Sequence, residues 1–174
     1  TVLAPNAGDV LRVGIVGGRL GTAPVAAISE RELVLDAPLL TDDPPPRAGI
    51  DLLLAVPRPK VLARLLPAIA ALGIDRLVLL NAARVEKSYF AADVLEPASI
   101  SALLRLGLEQ ARDTIAPEVL LRPRFRPFVE DECDALLASA DVRLVAHPPA
   151  TEPCPPRGGA RRIALAVGPE GGWV

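Results

Sequence analysis

Beyond residue 50 the chain carries short apolar runs that alternate with segments of helical periodicity. The runs are Leu52–Val56 (LLLAV), Arg76–Leu80 (RLVLL), Val119–Leu121 (VLL), Val142–Ala146 (VRLVA) and Arg162–Val167 (RIALAV). Strands that are apolar on both faces must be covered on both faces, which is the pattern of a parallel sheet. Between the first two runs lies RPKVLARLLPAIAALG, which places Val61, Leu62, Leu65, Leu66, Ile69 and Leu72 on one helical face. Further helices are expected around Ser99–Arg112 and Phe128–Ser139. Alternating strands and helices make the class α/β.

The first forty residues follow another rhythm. VLRVGIV (Val10–Val16), APVAAIS (Ala23–Ser29) and ELVLDA (Glu32–Ala37) are separated by charged or Gly-rich turns such as Val16-Gly17-Gly18-Arg19. They predict short antiparallel strands, part of a small β-barrel. Thr41–Gly49 contains Pro44, Pro45 and Pro46 in succession and is read as a linker, because consecutive prolines continue neither a helix nor a central strand. The expected domains are therefore residues 1–46 and 47–174. His147–Gly159, also rich in proline, is read as a loop.

Composition narrows the function classes. The formal net charge of the 174 residues is −2, so no global basic field announces nucleic acid, although a local patch would suffice. Cys133 and Cys154 have neither metal nor redox spacing, no His/Cys/carboxylate cluster suggests a metal, and no apolar run reaches membrane-spanning length. A cytoplasmic protein without a metal is the expectation. The sequence has no methionine, which is read as a chain lacking its initiator and forming part of something longer.

The chemistry is sought in loops. Ile163–Val167 opens directly into Gly168-Pro169-Glu170-Gly171-Gly172. In an open parallel sheet, ligands bind beyond the carboxyl ends of the strands. Glycines there let backbone approach a ligand closely, and exposed N–H and C=O groups can read an adenine edge. The alternative is an ordinary strand–helix connection. No phosphate-loop motif and no G-x-G-x-x-G follow a strand. His147, the single histidine, is read as a rim residue of the pocket rather than a catalytic base. Glu109 and Arg112 are spaced to pair on one helical face. Arg84 and Lys87 are read as candidate RNA phosphate contacts, with Tyr89 available for base stacking and Phe90 for the core. Arg122, Arg124 and Arg126 form a comb that either grips RNA or flanks a strand end.

Taken in order, several segments resemble the RsmE family of SPOUT-class methyltransferases. LAVGPEGGW resembles the family's cofactor loop. LLLAVPRPKVLARLLPAIAALGIDRLVLLNAARVEKSYF is similar to its first βαβ unit, with EKSYF in place of a basic-Ser element. GLEQARD (Gly107–Asp113), RFRPFVED (Arg124–Asp131), LVAHPPA (Leu144–Ala150) and VLxxxxGD (Val2–Asp9) complete the likeness over nearly the whole chain.

The resemblance implies a PUA-like RNA-binding barrel, partial here, ahead of a knotted SPOUT domain that forms homodimers. It implies methylation of N3 of a uridine in 16S ribosomal RNA with S-adenosylmethionine, acting on the rRNA or the small ribosomal subunit. His147, Pro148, Gly168, Pro169, Glu170, Gly171 and Gly172 would hold the cofactor. Arg84, Lys87, Arg122 and Arg124 would hold RNA, and Arg112 would serve the active site between subunits, with the base unidentified. A third cofactor loop and the start of the barrel, both expected from the family, are absent from the sequence, so poor cofactor binding is expected of the chain ending at Val174. Ala4 stands where the family commonly has a basic residue, and EKSYF and Arg112–Thr114 depart from its pattern. Two other readings stay open: a non-catalytic RNA-binding module of the same fold, and a SPOUT methyltransferase acting on another RNA site.

Overall fold

The computed structural model describes residues 5–156, 158–159, 161–169 and 171–173. Glu170 of the glycine loop, and Val2 and Ala4 of the Val2–Asp9 pattern, lie outside the described residues. The chain divides into two compact units. One holds the residues up to Pro46 together with Arg112–Ile115, and the other holds Arg47–Ala111 and the residues from Ala116 onward.

The smaller unit is an antiparallel sheet of β1 (Val10–Gly14), β2 (Leu20–Ile28), β3 (Leu33–Leu35) and β4 (Leu39–Asp42), in which β2 pairs with each of the others. β4 continues through Asp42, so the expected linker begins later than Thr41; the prolines at 44–46 end the strand. Gly21 lets β4 lie close to β2, because a Cβ there would strike the Leu39 carbonyl. Residues 112–115 return to this sheet: the Gly17 N–H donates to the Thr114 carbonyl at 2.8 Å. The Thr114 hydroxyl in turn donates to the Gly18 carbonyl at 2.5 Å.

The larger unit is built on five parallel strands: β5 (Ile50–Ala55), β6 (Arg76–Leu80), β7 (Glu118–Arg122), β8 (Val142–Ala146) and β9 (Ile163–Val167). Their order is β7-β6-β5-β9-β8. β9, last in sequence, stands between β5 and β8. Alternation along the strands divides the core into two layers. Leu54, Leu77 and Leu79 face one cluster with Leu62, Leu66, Ile69, Ile100, Leu104 and Leu108. Leu53, Val78, Leu80 and Ala164 face another with Phe128 and Leu137.

The first cluster is supplied by α1 (Pro59–Ala71) and α2 (Pro97–Ala111). Proline at the first position suits the start of α1, where an N–H would have no partner. The helix stops at Gly73, whose φ is +69°. The Gly73 N–H donates to the Ala70 carbonyl at 3.0 Å and the Ile74 N–H to the Ile69 carbonyl at 3.5 Å, a Schellman closure that leaves Ile74 buried. The buried face of α1 is Leu62, Leu66, Ile69 and Ala70. This corrects the expected face: Val61 is 37% and Leu72 70% exposed. α2 lies over the Ala70 side of α1, since Gly107 of α2 sits where a Cβ would meet the Pro67 carbonyl and the Ala70 methyl. Leu72, as the helix cap, is left outside.

The second layer is α3 (Phe125–Pro127), a π turn (Phe128–Glu132) and α4 (Cys133–Leu136). This helical segment starts and ends three residues earlier than the Phe128–Ser139 expectation. Cover is incomplete at the sheet edge, where β8 leaves Val145 63% exposed. The expectation of strands covered on both faces therefore holds for β5 and β6 but not for β8 among the described residues. Among those residues, no helix is long and apolar enough to cross a membrane.

The amino edge of the sheet is held by charge. Asp51 of β5 is 0% exposed. It accepts from Arg162 Nε at 2.8 Å and Nη2 at 2.6 Å, with Arg76 Nη1 at 3.5 Å. These hydrogen bonds raise the Arg162 guanidinium above its ordinary pKa. Arg76 also pairs with Glu118 of β7 at 2.8 Å. Asp141, ahead of β8, accepts from the N–H groups of Arg161 and Arg162 at 2.7 and 2.9 Å, which hold its carboxyl below the usual range. Replacing Asp51 with Asn leaves two arginines facing a neutral group in a buried site. The expected loss is about 3 kcal/mol of unfolding free energy, read from urea denaturation; an unchanged midpoint would show that the pair does not hold β9.

Candidate functional site

With structural charge at the amino edge, the carboxyl edge is left for chemistry. Open α/β sheets place ligands beyond the carboxyl ends of their strands, and here β9, last in sequence, is inserted between β5 and β8. Two loops leave that edge side by side. β8 ends into His147 and Pro148, and β9 ends into Gly168 and Pro169. The second loop turns tightly, with the Gly172 N–H donating to the Pro169 carbonyl at 2.8 Å. Gly172 has φ +79°, a conformation costly for a residue with a Cβ.

A cleft of about 410 Å³ opens between these loops, lined by Ala146, His147, Pro148, Val167, Gly168, Pro169 and Gly172. Its size is that of a small-molecule site. A second cleft of about 290 Å³ lies on the other side of the glycine loop, with Pro57, Arg58, Arg84, Tyr89, Pro169 and Gly171 in its lining. Buried nitrogens with no hydrogen-bond partner occur here: His147 Nδ1 and Trp173 Nε1. An unsatisfied buried polar atom costs about 1–3 kcal/mol, so each is a place where a bound group would gain. Trp173 follows the loop directly, stands 5.8 Å from the Phe125 ring at a 34° tilt, and would be crowded by a Cβ at Gly168, 3.0 Å from its Nε1. Among the described residues no cluster of His, Cys, Asp and Glu has the makings of a metal site.

The sequence model of the RNA methyltransferase domain matches residues 44–174, most of the chain and both loops of the cleft. The chain belongs to the RNA methyltransferase domain family. Ribosomal RNA small subunit methyltransferase E of Treponema pallidum is 28% identical to it, over 99% of this chain and 66% of that protein. The chain thus spans just under two thirds of that relative's length. The structure of Ribosomal RNA small subunit methyltransferase E from Neisseria gonorrhoeae, bound to S-adenosyl methionine, matches at TM-score 0.69 and 17% identity, over 97% of this chain and 68% of that one. A probable rRNA-methyltransferase from Porphyromonas gingivalis matches at TM-score 0.65 and 15% identity, over 98% of this chain and 70% of that one. Both likenesses show a shared fold.

Within this RNA methyltransferase domain, the cofactor candidates His147, Pro148, Gly168, Pro169 and Gly172 meet in one cleft, and Gly171 lines the neighbouring one. The RNA candidates leave the carboxyl ends of two adjacent strands, Arg84 and Lys87 after β6, Arg122 at the end of β7 and Arg124 just beyond it. Arg84 is exposed, and its Nη1 donates to the Gly171 carbonyl. Lys87 is exposed at the start of a 3₁₀ turn, Lys87–Ala91. Arg122 is paired with Glu132 at 2.7 Å, and Arg126 with Glu130 at 2.8 Å. Arg124 is exposed. Tyr89 and Phe90 both pack against the first core cluster.

The expected Glu109–Arg112 pair is not formed. Glu109 reaches back to Arg105 at 3.9 Å, because Arg112 has left the helix with φ +55°. Its side chain is exposed. Pro57, Arg58 and Trp173 were not among the candidates. The signal for Pro57 and Arg58 is their place directly after an apolar strand; for Trp173 it is a lone tryptophan beside the glycines. Gly172→Ala places a methyl at positive φ and is expected to lower stability by about 1 kcal/mol, measured by urea denaturation. A neutral result would mean that the loop does not need this conformation.

Proposed function

We propose that the chain is an S-adenosylmethionine-dependent methyltransferase acting on N3 of a uridine in 16S ribosomal RNA. The carrying observation is the cleft of about 410 Å³ beyond the carboxyl ends of β8 and β9, with the unpartnered His147 Nδ1 in its wall. The residues fit the cofactor: an apolar floor of Ala146 and Val167, two prolines that stiffen the rim, and glycine backbone at Gly168 and Gly172 where a ligand can lie against the chain. His147 Nδ1 and the backbone of the glycine loop would hold it. When bound, S-adenosylmethionine supplies a methyl group already activated by positive sulfur, so the protein's tasks are alignment and proton removal. The N3–H proton must leave as the N3–methyl bond forms, and cationic side chains near the uracil oxygens stabilise the anion. Arg112 is the candidate for that role, an exposed residue within the family-like GLEQARD segment. N3 lies on the Watson–Crick edge, so the base must be unpaired or flipped out.

The same reading extends to the whole assembly: a knotted SPOUT arrangement, a PUA-like barrel formed around the β1–β4 sheet, a homodimer, and a cytoplasmic setting where the small subunit is made. What supports it is the family match, the name of the Treponema relative and the ligand of the Neisseria structure. Lys87 and Arg124 remain candidates for RNA phosphate. The test is primer extension on naked 16S rRNA and on assembled small subunits from a strain lacking the gene, after incubation with the full-length protein and S-adenosylmethionine. One new stop at a single uridine is expected, because an N3-methyl blocks pairing. No stop on either substrate, with cofactor binding confirmed by calorimetry, would overturn the target.

A further inference from the structure

Arg84 begins on the far side of β5 from the loop it touches. It follows β6, whereas Gly171 follows β9, and β5 separates the two strands in the sheet. Its Nη1 nevertheless donates to the Gly171 carbonyl. A Cβ built on Gly171 would have Arg84 Cδ at 2.9 Å, Nη1 at 3.5 Å and Nε at 3.8 Å as its nearest neighbours. A Cβ on Gly172 would lie 3.6 Å from His147 Cε1 and 3.9 Å from Arg84 Nη1. The Gly171–Gly172 backbone is thus packed between one arginine and one histidine, each lining a different cleft.

The geometry points to Arg84 as a positioning residue for the glycine loop. It reaches over the end of β5, holds the Gly171 carbonyl, and sets the loop against His147. A Cβ on Gly171 would press on the Arg84 stem, so a methyl there would push Arg84 off the loop. Arg84 acts on the cofactor through the loop, and its guanidinium is not an RNA phosphate contact. This rests on the reading of the larger cleft as the S-adenosylmethionine site.

The test is a double-mutant cycle of Arg84→Ala and Gly171→Ala in the 174-residue chain, with Arg84→Lys as the conservative variant. The first readout is acrylamide quenching of Trp173, the single tryptophan, which needs no ligand. Quenching is expected to rise in both single variants and to rise no further in the double one, since the methyl at Gly171 has nothing to displace once Arg84 is gone. The second readout is S-adenosylmethionine affinity by calorimetry in the full-length protein, expected to weaken about tenfold in each single variant. Coupling in the cycle and partial recovery by Arg84→Lys are expected as well. The third is the salt dependence of RNA binding, expected to be unchanged. Unaltered quenching in Arg84→Ala would overturn the proposal. So would strictly additive effects, or a salt slope reduced by about 1, the mark of a lost phosphate contact. Should the full-length wild-type protein bind no S-adenosylmethionine, the cofactor reading fails, and the quenching cycle alone decides the role of Arg84.

Discussion

A carboxylate at Asp51 with no exposed surface is costly to bury, and a single cation seldom offsets that cost unless its geometry is good. Here the geometry is bidentate: Arg162 lays two guanidinium N–H groups on the two carboxylate oxygens. Removing either partner would strand a charge. The pair therefore does more to select an arrangement than to add stability. Arg162 immediately precedes β9, and Asp51 lies in β5, so the arrangement selected is β9 seated beside β5. Asp141 fixes the other flank by accepting the N–H groups that lead into β9.

Once β9 is seated between β5 and β8, the rest of the site follows from strand geometry. A parallel strand fixed at its amino end delivers its carboxyl end at a defined height. β8 and β9 are in register over Val142–Ala146 and Ile163–Val167, so His147 and Gly168 emerge side by side. The glycine loop then has little freedom. Pro169 stiffens its start, the Gly172 turn closes it, Trp173 is braced on Phe125, and Arg84 holds it from the opposite side. The cleft is the space left between two loops whose roots are set by one sheet.

The secondary elements of the larger unit could largely be read from the chain, because strands buried on both faces are apolar, as Leu77–Leu80 and Ile163–Val167 are. Their order could not. Arg162 and Asp51 meet across 111 residues, and neither carries a local sign of its partner. The face of α1 was read too wide because periodicity alone does not show where α2 lies; Gly107 against Pro67 decides that. The same limit applies to charges. Arg84 and Arg122 look like solvent-facing cations in sequence, yet each finds an acceptor in the fold. Arg112 is spaced to pair with Glu109 only if the helix continues, and the helix does not. The glycine loop stood out in sequence as a turn after an apolar strand, a common form of punctuation, whereas the orphaned nitrogens of His147 and Trp173 emerge only when the side chains are packed.

The central claim is that seating β9 beside β5 builds a cofactor cleft between His147 and the glycine loop. The most direct measurement is a crystal structure of the full-length protein grown with S-adenosylmethionine. The account predicts ligand density between His147–Pro148 and Gly168–Gly172, with His147 Nδ1 or a glycine-loop backbone group within hydrogen-bond distance of the ligand. Ligand bound elsewhere on the chain, with this cleft filled by its own side chains, would contradict it.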